Sequence, residues 1–205
     1  MVKTQIKYLG HSSFFIKGKS FSVVTDPFKG IGYDIERVSC DYAISSHSHF
    51  DHDNFGGVDA KHDVTTATEI FRVIDSYHDD AQGKKRGKNR VFIFNVDGIK
   101  FCHTGDIGEM QTLETLKKES RIDVLFIPVG GTYTIDAEKA MRYIDELKPK
   151  IAIPMHYKSG ASNLDIATID KFLNLAKNYK FVGKTFNIDE EILKNIENTQ
   201  IWVAE

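Results

Sequence analysis

Residues 89–106, NRVFIFNVDGIKFCHTGD, hold two β-rich runs joined by Asp97-Gly98, a dipeptide that favours the tight turn of a hairpin. This hairpin stands where the rhythm of the chain changes, and that change restricts the fold more than any other feature. Before it, TQIKYLG, SSFFIKG and FSVVTDP are short β-rich runs separated by Gly and Lys, which predicts a meander of antiparallel strands. DYAISSH is a fourth run, and DVTTAT and IFRVIDSY read as further strands. After the hairpin, helix and strand alternate. A helix in EMQTLETLKKES precedes a buried strand in IDVLFIPVGG, and a helix in DAEKAMRYIDELK, capped by Asp136, follows it. PKIAIPMHY is the next strand, and NLDIATIDKFLNLAKNY reads as a helix begun by Asn163. A strand-rich half followed by a β/α half predicts two sheets packed together with helices outside. With no repeat, linker or low-complexity tract in 205 residues, 1–205 reads as one domain.

The overall charge narrows the function classes. A net charge of −2 argues against a general nucleic-acid binder, which normally carries a basic excess. No run approaches the ~18 apolar residues of a membrane span, and MVKTQIKYLG lacks the apolar stretch of a signal peptide. Cys40 and Cys102 are too few for a disulfide scaffold, so a reducing cytoplasm is the expected compartment.

Chemistry concentrates in SHSHFDHDN, residues 46–54, which hold three of the eight histidines. In an extended segment, side chains two apart share a side, so His47 and His49 can converge on one ion. Asp51 extends that row and His52 points differently, which suits a second ion nearby. Imidazole and carboxylate are the usual donors for zinc, manganese or iron. The competing reading is a polar loop in which Asp53 or Asn54 caps a short helix; a cap needs only one residue, so both readings hold at different positions. Four donors are too few for two ions. More are available at the ends of predicted strands: His78 in SYHDD, His103 and Asp106 in HTGD, and His156 in IPMHY.

The series His47-x-His49-x-Asp51-His52, His78, Asp106 in HTGDIG and His156 in IPMHY resembles the metallo-β-lactamase superfamily. YLGHSSFFI and TDPF further resemble its ascorbate-6-phosphate lactonase-like branch, and the likeness runs from Tyr8 to about Tyr157. The resemblance implies a four-layer αβ/βα sandwich of two mixed sheets with a two-metal site at one edge. By the same resemblance His47, His49 and His78 hold the first metal, Asp51, His52 and His156 the second, and Asp106 bridges them. Zinc is the first expectation, with manganese or iron as alternatives. A hydroxide held between two ions would attack a small anionic ester, lactone or phosphodiester, with Asp51 as the catalytic residue that orients it and shuttles a proton. The alternative is a non-catalytic metal-binding or ligand-sensing protein on the same fold. Di-iron flavoprotein reductases carry glutamate where this chain has His49, RNA-processing nucleases of the superfamily carry an extra domain, and true β-lactamases are secreted. The expected partner is therefore a small-molecule substrate, with no nucleic acid and no membrane.

Several other residues carry two readings. His62 competes with His78 but reads better as a solvated loop residue. His103 either supports a ligand carboxylate or packs on its strand, and His11 in GHSSF divides in the same way. Asp26 either orients a ligand histidine or forms the turn before Pro27. GKKRGKNR, residues 83–90, is either a mobile solvated loop or an electropositive rim that steers an anionic substrate. In VGGTYTID, Thr132 or Thr134 reaches the cleft, or the segment is only a turn into the helix capped by Asp136. Tyr157 and Lys158 are candidate substrate contacts.

Overall fold

In most of these runs β-branched and aromatic residues recur at every second position, so the strand presents an apolar face to a neighbouring layer. The structure is a computed structural model that describes residues 3–205. β1 (Thr4–Gly10), β2 (Ser13–Lys17) and β3 (Ser22–Thr25) form the antiparallel meander read from the sequence. β4 (Ser39–Ile44) and β5 (Asp59–Val64) then add parallel to β3. The strand expected at DVTTAT thus lies earlier in the chain. Val64 is the one buried side chain of β5, and residues 65–68 beyond it are exposed.

β6 (Arg72–Tyr77), β7 (Lys88–Val96) and β8 (Ile99–His103) run antiparallel, with Asp97 (φ 51°) and Gly98 (φ 87°) making the expected hairpin turn. The chain continues through α1 (Gln111–Leu116), β9 (Val124–Pro128), α2 (Ala137–Leu147) and β10 (Ile151–Met155). Asp136 caps α2 by accepting from the Lys139 amide, as its position before the apolar stripe predicts. The helix expected from Asn163 is shorter: α3 spans only Asp170–Leu175. Residues before it are drawn into the loops instead, since the Ala167 amide donates to Gly130 and the Ala167 carbonyl accepts from Lys158. β11 (Tyr179–Phe181), β12 (Thr185–Ile188), α4 (Glu190–Lys194) and β13 (Gln200–Val203) complete the chain.

The first sheet has the order β12-β1-β2-β3-β4-β5, the second β11-β13-β10-β9-β8-β7-β6. Both are mixed, and each carries its parallel strands at one end. Between them lies a core in which Phe14, Ile16 and Ile44 of the first sheet meet Phe94, Phe101 and Phe126 of the second. Alternation then sends Leu125 and Ile127 to the opposite face, where Leu113, Tyr143 and Phe172 of the helices cover them. This is the expected sandwich with helices outside. Over the first sheet, the outer layer is mostly loop: Phe28, Ile31 and Ile35 pack on Val24 and Ala43. Among the described residues, no helix is long and apolar enough to cross a membrane.

Candidate metal centre

The site is assembled from one repeated device: a polar residue placed just beyond the carboxyl end of a strand. His11 follows β1, Asp26 follows β3, and the loop with His47, His49, Asp51 and His52 follows β4. His78 follows β6, Asp106 lies three residues beyond β8, and His156 follows β10. Face-to-face packing of the two sheets brings these strand ends together, in the place where open α/β sheets characteristically collect ligand-binding groups. The backbone bends sharply there. His11 (φ 54°), Asp26 (φ 39°) and His156 (φ 52°) all adopt the left-handed conformation that non-glycine residues avoid, a strain that accumulates at functional sites. Gly105 (φ 55°) turns the chain between His103 and Asp106, and a side chain there would collide with Ser46 and Asn89.

Donor atoms of His47, His49 and His78 lie within 4.8 Å of one another, and so do those of His11, Asp51, His52 and His156. Asp106 stands between the groups. Its Oδ2 is 2.9 Å from His156 Nε2, 3.1 Å from His52 Nε2, 3.3 Å from His78 Nε2 and 4.0 Å from His47 Nε2. All seven residues singled out in the sequence therefore converge. They do so by a different local route, since residues 45–52 form a bent loop rather than an extended strand, with the His52 amide donating to the His49 carbonyl. Asn54 stands before a short 3-10 turn at Phe55–Gly57 but makes no side-chain cap; its amide donates to Phe28 instead.

Neighbouring groups fix which ring nitrogen points inward. His52 Nδ1 donates to Asp26 Oδ2 at 2.9 Å, leaving Nε2 toward the cluster. His78 Nδ1 donates to the Tyr133 carbonyl at 3.0 Å. The Ser46 hydroxyl gives its only proton to Asp26 Oδ2 (2.7 Å), so its oxygen accepts from His47 Nδ1 at 2.9 Å. Such outward hydrogen bonds are the supports that metal-binding imidazoles carry. Buried His47 Nε2, Asp106 Oδ1 and His156 Nδ1 meanwhile have no hydrogen-bond partner. Buried polar atoms left unpaired are costly, and inward-facing nitrogens around a carboxylate are the donor set of a divalent cation. The residues present fit a metal.

The electrostatics divide the imidazoles. Burial pushes His47 down to about 2, with His52 adding to the effect, and burial with His156 lowers His11 to about 4, so both rings offer lone pairs at neutral pH. Burial opposes charge on His52, yet Asp106 and Asp26 outweigh it and raise its pKa well above the usual histidine value. Burial opposes charge on Asp106 too, but His156 and His52 hold that carboxyl well below its usual range. Asp106 is thus ionised at the centre of the group.

The remaining candidates separate cleanly. Asp26 is buried with its carboxylate spent on Ser46 and His52, so it orients His52 as well as turning the chain. Asp26→Ala strands a buried imidazole and a buried amide. It is expected to lower unfolding stability by about 3–5 kcal/mol, read from urea denaturation. His103 lies behind Asp26, its Nε2 donating to Ser12 and its Nδ1 accepting from Gly105, and makes no approach to the cavity. His62 is exposed on β5, stacked on Tyr42. His11, weighed evenly from the sequence, has its Nε2 3.3 Å from His52 Nε2 and 3.5 Å from Asp51 Oδ2. The signal for it was its position directly after a strand-ending glycine.

A cavity of about 610 Å³ opens over this cluster, with His49, Asp51, His78, Asp106 and His156 in its walls. Of the VGGTYTID segment it is Tyr133 that lines it, and Thr132 and Thr134 belong to the turn into α2. The Thr134 hydroxyl turns to the Ile135 carbonyl, and Thr132 is exposed. Tyr157 points away, its hydroxyl donating to Ala204, and Lys158 does not line the cavity. Another cavity, of about 460 Å³ beside Met141 and Leu175, has no histidine or cysteine in its lining.

Two mixed sheets sharing a core, with a His/Asp cluster at their strand ends, define the metallo-β-lactamase class of fold. The chain belongs to the family described as Beta-lactamase superfamily domain, which it matches over residues 5–156. A Staphylococcus aureus protein named UPF0173 metal-dependent hydrolase is 28% identical over 197 residues, covering 75% of this chain and 85% of its own. A solved Thermotoga maritima structure, described as a candidate Zn-dependent hydrolase of the metallo-β-lactamase superfamily, is 32% identical. It superposes with a TM-score of 0.78 over 98% of both chains. Igni18 from Ignicoccus hospitalis, described as a novel metallo hydrolase, shares the fold at 18% identity, with a TM-score of 0.66 over 91% of this chain and 99% of its own.

Proposed function

We propose that this chain is a hydrolase that works with two divalent ions, zinc in the first place and manganese or iron as alternatives, on a small anionic ester, lactone or phosphodiester. The observation that carries this reading is the gathering of buried imidazole nitrogens around Asp106, with His47 Nε2 and Asp106 Oδ1 left unpartnered and Asp26, Ser46 and the Tyr133 carbonyl holding the outer nitrogens of His52, His47 and His78. His47, His49 and His78 would hold one ion, Asp51, His52 and His156 the other, and Asp106 would face both. The ions when bound would supply Lewis acidity and ionise water near neutral pH.

The protein's own groups do the rest. Asp51 is the cluster's carboxylate most open to the cavity, with 13% of its side chain exposed, against 2% for Asp106. Burial would raise its pKa, but His11 and His52 hold it down, so it is ionised and can accept a hydrogen bond that orients the attacking water. Its exposure to the cavity makes it our assignment for the group that takes the water's proton. The same oxygen can then deliver that proton to the leaving group. No serine or cysteine nucleophile is needed: Cys40 and Cys102 are both buried, and burial keeps both thiols protonated.

The test is turnover of p-nitrophenyl esters, lactones and bis(p-nitrophenyl) phosphate by protein stripped with chelator and reloaded with zinc or manganese. Hydrolysis that appears on reloading and falls by at least about a hundredfold in Asp51→Ala supports the reading. Tight metal binding with no turnover across that panel leaves a metal-binding protein without catalysis.

We further assign His11 to the second set of donors. Replacing it with alanine is expected to weaken the more weakly held ion by about 10–100-fold and to spare the His47–His49–His78 ion. Zinc competition with a chromophoric chelator measures both affinities.

A further inference from the structure

The basic segment 83–90 is not a loose charged loop. The Asp79 carboxylate accepts hydrogen bonds from four backbone amides in or next to it: Ala81 and Gly83 on Oδ1 (2.8 and 2.9 Å), Lys85 and Arg86 on Oδ2 (2.9 and 2.7 Å). The Gly87 amide donates to Gly83, and the His78 amide donates to Gly87, which ties the segment to one of the candidate metal-binding residues. A chain folded around a buried carboxylate in this way holds its side chains in set directions.

Those directions divide the segment's charges. Lys85 pairs with Asp80 at 2.8 Å, and Arg90 reaches the Ser46 carbonyl at 3.4 Å. Lys84 and Lys88 stand in solvent. Arg86 differs from all of these. It lines the cavity over the His/Asp cluster, and among the described residues no carboxylate lies within ion-pair distance of it. Its guanidinium lies over the Tyr133 ring, 5.4 Å from the ring centre, and the Tyr133 carbonyl is the group that accepts from His78. One tyrosine therefore sets the orientation of a cluster histidine and of the guanidinium beside it. Exposed Phe50 and half-buried Leu164 line the same cavity and give it an apolar wall.

An arginine fixed in place at a cavity mouth, half-buried against an aromatic ring and lacking an internal counter-charge, is arranged to meet an external one. A guanidinium presents planar paired donors that match carboxylate or phosphate oxygens. We propose that Arg86 anchors the anionic group of the substrate, a carboxylate or phosphate held apart from the bond that is cut. The apolar wall of Phe50 and Leu164 takes the uncharged portion. This inference rests on the hydrolase reading for its substrate, while the anion site itself is defined by Arg86, Tyr133 and Asp79.

The experiment uses zinc- or manganese-loaded full-length protein and two esters of equal shape: p-nitrophenyl hemiadipate and its neutral counterpart, p-nitrophenyl 6-methylheptanoate. The readout is the ratio of their kcat/KM values. In Arg86→Gln the preference for the carboxylate-bearing ester is expected to fall by about tenfold or more, and Arg86→Lys should lie between that variant and the wild type. Lys84→Gln, outside the cavity, should match the wild type. An unchanged ratio in Arg86→Gln overturns the proposal. If the loaded wild type cuts neither ester, ester hydrolysis fails as a reading, and calorimetric binding of the adipate dianion decides the anchor separately. Binding weakened about tenfold in Arg86→Gln upholds it, whereas equal affinity, or no binding to the wild type, overturns it.

Discussion

Asp106→Ala is expected to abolish hydrolysis, with a loss on the order of a thousandfold or more, and to leave the protein with about one tightly held ion or none. The magnitude follows from position. One oxygen of Asp106 faces His52, His78 and His156 at 2.9–3.3 Å, and its other oxygen is buried without a partner. Among the described residues no other carboxylate lies within ion-pair distance of both sets of imidazoles: Asp51 reaches His11 and His52, on one side only. Several kcal/mol of charge stabilisation depend on two ions held together, and each ~1.4 kcal/mol is a factor of ten in rate. Asp106→Asn separates charge from shape. It preserves the hydrogen bond from the Asp106 amide to Asn89 and should fold, yet it should lose most of the activity. Activity within tenfold of wild type in Asp106→Asn would remove Asp106 from the centre of the site.

The second large effect is on stability. Removing metal from the purified protein is expected to lower its melting temperature by at least about 10 °C, and zinc should restore it. The folded chain concentrates His11, His47, His52, His78 and His156 in one buried region, an arrangement whose cost ordinary packing does not offset. An ion that binds only the folded state at a thousand times its dissociation constant adds about 4 kcal/mol per site. For a chain of this size each kcal/mol is worth about 2–4 °C. Differential scanning calorimetry with and without chelator makes the comparison. A shift below about 2 °C would mean that no ion is held tightly.

The residues that converge on the candidate centre were legible in the sequence because each stands at the end of a β-rich run. His78 after IFRVIDSY, Asp106 after the Asp97-Gly98 hairpin and His156 after IAIPM could be found by locating strand ends alone. The period-two pattern that reveals a strand also reveals where it stops. What could not be read depends on neighbours distant in sequence. His11 meets His52 only because β1 ends beside the loop after β4, a juxtaposition set by sheet order. Residues 163–169 have a helix-like spacing of apolar side chains. Yet Leu164 packs with Phe28 and Ile31 over the first sheet, and the backbone around Ala167 bonds to other loops, so tertiary contacts override local preference. The basic segment could be read either as solvated or as a rim, and the choice turns on Asp79. A single buried carboxylate converts an apparently flexible charge run into a scaffold that holds Arg86 at the cavity.

The measurement that bears most directly on the centre is the zinc or manganese content of protein purified without added metal and then titrated to saturation. Elemental analysis is expected to give two equivalents per chain at saturation for the wild type. His49→Ala should lose the ion of the His47–His49–His78 set, and His156→Ala the ion of the other. A wild type that saturates at one equivalent, or holds none after titration at neutral pH, would contradict a two-ion centre built from these residues.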